Sequence, residues 1–146
     1  MTDVATGTTP ELGDVGTENG TKPCFYDSEA LEYLTPLDLS QGLPEAERQE
    51  FLSQYGEGGS VGPILYSPTL TVIRYRAKPG EHVPPHRHGV NQITFMLHGE
   101  LRYGNKVTKP GMGYFSPDKK YSWTAGPEGA EFLEIFDGVP SLPIYD

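Results

Sequence analysis

The sequence predicts an all-β fold, a small antiparallel barrel or sandwich, and three observations carry that expectation. Fourteen prolines and eighteen glycines in 146 residues are too many turn-formers for a helical bundle. Beyond Gly62, apolar residues alternate along the chain instead of recurring at helical spacing. The strand candidates are also short, closely spaced and separated by Gly/Pro turns such as KPGE, YGNK, KPGMG, SPDKK and AGPEG.

Residues 1–23, MTDVATGTTPELGDVGTENGTKP, hold no aromatic side chain and are rich in Thr, Gly and acids. Such a segment buries too little apolar surface to offset its ordering entropy, which predicts a disordered acidic tail. Residues 24–61 read as a helical and extended extension. DSEALEYL (27–34) suits one or two helical turns capped by Asp27 or Ser28. LPEAERQEFLSQYG (43–56) is the strongest helix pattern, with Pro44 at a first helical position, acids in the first turn and Gly56 closing the end. Leu43, Phe51, Leu52 and Tyr55 give that helix one apolar side. The β domain follows over 62–146. LTVIRYRA (70–77) alternates, QITFMLHGELRY (92–103) reads as strand–turn–strand through Gly99, and MGYFS (112–116) and EFLEIF (131–136) are two further short strands.

Charge narrows the partners. Residues 1–60 carry twelve acids and two bases, whereas 61–146 carry eight acids and nine bases, so the front section accounts for the net charge of −9. An acidic surface repels phosphate backbones and argues against a nucleic-acid partner. No apolar run approaches the roughly 18 residues of a membrane span, and no secretory leader is visible, so a cytoplasmic protein is expected. The lone cysteine, Cys24, excludes an internal disulfide and a paired-thiolate zinc site.

The chemistry concentrates in PPHRHGVNQ (84–92). On extended backbone His86 and His88 share a face, and Gln92 keeps the same parity if no bulge intervenes. Arg74 and Arg76 share a face one strand earlier and suit a substrate carboxylate if they point inward, or an exposed basic edge if they point outward. His82 and His98 read as rim residues, and Tyr103, Tyr114 and Phe115 as wall packing. Trp123 belongs near the mouth of the fold, where it can touch a ligand.

GEHVPPHRHGVNQITFMLHG resembles the first motif of the cupin superfamily: Gly80, five residues, His86, one residue, His88, three residues, Gln92, six residues, Gly99. Gln92 stands where the family carries Glu. GNKVTKPGMGYFSPDKKYSW resembles the second motif through Gly104, Pro110, Gly111 and Pro117, but Tyr121, or Ser122 in an alternative alignment, replaces its histidine. The resemblance covers about residues 62–137. It implies a small jelly-roll barrel, a homodimer, and a divalent transition metal held by His86, His88 and Gln92. Fe(II) comes first among the candidates, with Zn, Ni, Mn or Cu as others. With no carboxylate balancing the ion, such a centre would attract an anionic chelating ligand such as an enolate. The resemblance further implies a dioxygenase-type enzyme acting on a small oxygenated or aromatic substrate, as in small cupins that cleave diketones or hydroxylated aryl ketones. Tyr121 and His82 would be its proton-moving residues, and Arg74, Arg76 and Trp123 would contact substrate. The alternatives are a metal-dependent isomerase or lyase, and a metal-poor cupin that binds or senses a small molecule.

Overall fold

A computed structural model describes residues 23–145. The acidic tail expected over 1–23 therefore falls, apart from Pro23, outside the described residues.

The segment expected to be helical over 27–34 forms turns instead. The Asp27 carbonyl accepts from the Ala30 amide at 3.0 Å, and its carboxylate accepts from the Glu29 amide at 3.0 Å. Two outside contacts favour this over a short helix. Leu34 exchanges backbone hydrogen bonds with Val61, and the Tyr33 ring lies 3.8 Å beneath the Arg76 guanidinium. Thr35 precedes a proline and is held extended, with φ −83° and ψ 167°. It therefore caps helix α1 (Pro36–Ser40): its hydroxyl accepts from the Asp38 amide, and the Asp38 carboxylate accepts from the Thr35 amide. Helix α2 (Glu45–Tyr55) follows the expected span to within a residue or two, with Pro44 as its N-cap. Tyr55 is buried at its inner end.

Seven antiparallel strands form one bent sheet: β1 (Ser60–Tyr66), β2 (Thr71–Ala77), β3 (His82–His86), β4 (Gln92–Tyr103), β5 (Lys106–Thr108), β6 (Gly113–Ser116) and β7 (Tyr121–Phe136). The main path runs β1-β2-β7-β4-β5, with β3 added to β7 and β6 added to β4. The described pairings do not join β1 to β5, so they trace an open path. No helix among the described residues is long and apolar enough to cross a membrane.

The sixteen-residue β7 organises this sheet. Its first residues pair with β3 and its last seven pair with β2, while β4 lies along its other edge. The AGPEG stretch therefore lies inside a strand, where the sequence suggests a turn. Gly99 likewise lies inside β4. The β4–β7 register shifts there, and the backbones approach so closely that a Cβ on Gly99 would collide with the Gly129 carbonyl. Both glycines adopt positive φ, 71° and 80°, which only glycine takes without strain. The kink also switches which parity points inward. Tyr121, Trp123 and Ala125 are buried before it, and Ala130, Phe132, Glu134 and Phe136 are buried after it.

Phe132 is fully enclosed. Its ring stacks on Tyr75 at 5.2 Å and meets Trp123 edge-on at 5.6 Å. Phe132→Ala is expected to lower stability by about 3–5 kcal/mol, through lost burial and a cavity that this double-sided packing cannot collapse around. Urea unfolding measures it; a loss below about 1 kcal/mol would contradict this account of the core.

Candidate functional site

A cavity of about 410 Å³ opens between the inner face of the sheet, α2 and the C-terminal segment 140–143. The size suits a compact organic ligand. Its walls are largely aromatic, with Phe51 and Tyr55 from α2, Tyr75 from β2, and Trp123 and Phe136 from β7. Its polar groups include His86, His88, Tyr121 and Glu134, with Thr71 and Ser141 also in the lining.

The two imidazoles are oriented by backbone carbonyls. His86 lies at the end of β3, where Tyr121 is its cross-strand partner, and their rings stand 4.7 Å apart. Its Nδ1 donates to the Pro84 carbonyl at 2.7 Å. His88 follows 4.8 Å away, ring to ring, and its Nδ1 donates to the Ser141 carbonyl at 2.9 Å. A carbonyl can only accept, so Nδ1 carries the proton and Nε2 keeps its lone pair in each neutral ring. Burial then holds both rings neutral. It depresses the His86 pKa to about 4, aided by neighbouring His88, and lowers that of His88 as well.

Glu134 is the cavity's acid. It is buried, and burial pushes its pKa up to about 7 even though hydrogen bonds to Gln92 and Tyr121 pull the other way. The Gln92 amide nitrogen donates to Glu134 Oε2 at 2.9 Å. The Tyr121 hydroxyl approaches the same oxygen at 3.4 Å, a long and weak contact. Burial beside that carboxyl raises the Tyr121 pKa well above the ordinary phenol value, so it stays a neutral donor.

The residues singled out in the sequence divide accordingly. His86, His88, Tyr121 and Trp123 all line the cavity, and Ser122, beside Tyr121, does not. Gln92 is buried behind Glu134 and does not line it. His82 is exposed, its Nδ1 2.9 Å from the Thr124 hydroxyl on the far side of the Pro84–Pro85 corner. That corner shifts the β3–β7 register, so Val83 and His86 are buried where strict alternation would bury His82. Arg74 and Arg76 point to the opposite face of β2 from Ile73 and Tyr75. Arg74 is held by Glu29 at 2.9 Å and Glu131 at 2.8 Å, and Arg76 by Glu131 at 3.2 Å. They fasten the N-terminal extension to the sheet and do not reach the cavity. Glu134 is not among the residues that the motifs single out. In EFLEIF, Phe132, Glu134 and Phe136 share one parity, and a glutamate between two phenylalanines on one strand face marks a buried acid.

Of the metal set that the resemblance implies, the cavity lining brings together the two imidazoles, and Gln92 stands outside that lining. Two imidazole nitrogens are on offer; the Gln92 amide nitrogen donates to Glu134, and the Tyr121 hydroxyl approaches the same carboxyl oxygen. Among the described residues no three His, Cys, Asp or Glu side chains stand close enough together to hold an ion.

The buried acid gives a pH signature. A carboxyl whose pKa rises on folding from 4.5 to about 7 makes the folded chain the stronger proton binder between those values. Its contribution to stability therefore falls as pH rises through that window. His86 works in the opposite sense, losing stability as pH falls from 6.5 towards about 4, but it is common to wild type and variant. Relative to wild type, Glu134→Gln should thus gain about 2–3 kcal/mol between pH 4.5 and 7. Paired denaturant titrations check this, and a pH-independent difference would contradict it.

No family model matches the sequence, and no curated protein is a significant match. Solved structures do match the fold. Oxalate decarboxylase from Bacillus subtilis superposes with a TM-score of 0.50 at 26% identity, covering 56% of this chain and 25% of that one. KdgF from Halomonas sp. superposes with a TM-score of 0.53 at 17% identity, covering 56% of this chain and 80% of that one. The chain therefore matches only about a quarter of the decarboxylase. With the antiparallel strands and short N-terminal helices described above, these likenesses identify the fold as that of the cupin superfamily.

Proposed function

We propose that this chain is a cupin that binds a small organic molecule in the cavity between its sheet, α2 and the C-terminal segment, without needing a resident metal. The observation that carries this is the engagement of Gln92. Gln92 does not line the cavity and gives its amide nitrogen to Glu134, so the side chain that would complete a metal shell lies within the wall beside a buried acid. What faces the cavity is a largely aromatic box with a short row of polar groups, the usual composition of an organic ligand site. Tyr121 and the imidazoles of His86 and His88 would orient the ligand, and Trp123 would pack on its body.

A second reading is supported by one specific observation. Both imidazoles give Nδ1 to a backbone carbonyl and keep Nε2 unprotonated, the arrangement that prepares histidines as metal ligands. In that reading the chain is a metal-dependent enzyme, either an isomerase or lyase or a dioxygenase-type oxidoreductase. Fe(II) is then the first candidate and Zn, Ni, Mn or Cu the others. The likeness to oxalate decarboxylase belongs here, and Glu134, poised near neutrality, would be its proton carrier.

Elemental analysis separates the two. Protein purified without added metal should carry less than about a tenth of an equivalent of any transition metal, and a chelator should leave its melting temperature unchanged. About one equivalent retained through gel filtration would contradict the binding-protein reading and favour the enzyme.

A further inference from the structure

The sequence led to the expectation of an anionic ligand, drawn by an unbalanced metal charge. The cavity is built for the opposite sign. Among the described residues lining it there is one acid, Glu134, and no lysine or arginine. Arg74 and Arg76 lie on the other face of β2, engaged by Glu29 and Glu131. His86 and His88 each give the Nδ1 proton to a backbone carbonyl, which leaves Nε2 as the acceptor of the neutral ring. Four of the polar groups are adjacent in a row: His88 lies against His86, His86 lies against Tyr121, and the Tyr121 hydroxyl approaches the Glu134 carboxyl. This row offers three acceptors and no positive charge. A ligand carboxylate placed there would meet another carboxyl in a dry site with no cation to offset it, which is costly.

We infer that the cavity selects a primary ammonium on an aromatic or apolar body, with the ammonium directed to the row at its one acid, Glu134. An ammonium carries N–H donors and no acceptor, which suits a row made of acceptors and a carboxyl. The ring-lined walls suit such a ligand twice over. Tyr75, Trp123 and Phe136 bury its body, and their faces attract cations. A net charge of −9 on the chain also raises the local concentration of cations. The inference rests on the reading of this cavity as an organic-ligand pocket, and it names the class of ligand.

Trp123 is the chain's one tryptophan and lines the cavity, so its emission reports occupancy. The full chain, treated with chelator, is titrated with three probes of similar size: 2-phenylethylammonium, 2-phenylethanol and 3-phenylpropionate. The ammonium is expected to bind at least about tenfold more tightly than the carboxylate, with the alcohol between them. Glu134→Gln is expected to weaken the ammonium about tenfold and to leave the alcohol within about twofold. If the carboxylate binds as tightly as the ammonium, or if Glu134→Gln leaves ammonium binding unchanged, the charge selectivity is wrong while the pocket reading stands. If no probe changes the emission of Trp123, both are wrong. The wild-type series decides the question even if the variant fails to fold.

Discussion

Glu134 is held inside the sheet by one amide, from Gln92, and one phenol, from Tyr121, and the character of the cavity follows from that contact. A carboxyl this deeply buried resists ionisation, because little of it meets water and, among the described residues, no lysine or arginine lines the cavity beside it. Gln92 supplies a neutral donor where a glutamate would bring a second carboxyl. Two acids at that separation would each raise the other's pKa and strain the site. Glutamine in β4 and glutamate in β7 are therefore one arrangement distributed over two paired strands.

The position of Glu134 depends in turn on the kink in β7. Gly126 to Gly129 let the strand change inward parity without ending, so Tyr121 and Glu134 face one cavity although one holds an odd position and the other an even one. Strict alternation would send one of them outward. The same kink explains why Glu131, three residues before Glu134, emerges on the outer face. There it draws Arg74 and Arg76 into a cluster with Glu29 and clamps the extension onto β2. One strand thus places one glutamate in the ligand cavity and another in the fastening of the N-terminal segment. Exchanging their faces would cost the molecule both.

Features governed by local physics could be read from the sequence. The two imidazoles beside the Pro84–Pro85 corner, the α2 pattern with its acidic first turn, and the alternation of β2 depend on neighbouring residues and were legible. Features set by distant contacts were not. Gly99 and Gly126–Gly129 look like turns because glycine signals turns locally, yet here they permit two long strands to approach closely. The direction of Arg74 and Arg76 is settled by Ser28 and Glu29, more than forty residues away in the chain. The 27–34 segment has helix-forming residues, but pairing with Val61 outweighs a single isolated helical turn. Glu134 was visible as a glutamate flanked by two phenylalanines. Its partner Gln92 drew attention only as a departure from a motif.

The central claim is that the cavity contains a buried carboxyl without a cation, held beside neutral imidazoles. Its most direct test is a carboxyl carbon-13 NMR titration of Glu134 in the full chain without metal, assigned through Glu134→Gln. The account predicts a midpoint near the value of about 7 that burial imposes. A midpoint at the ordinary glutamate value of about 4.3 would show the group to be solvated or paired with a cation, and would contradict it.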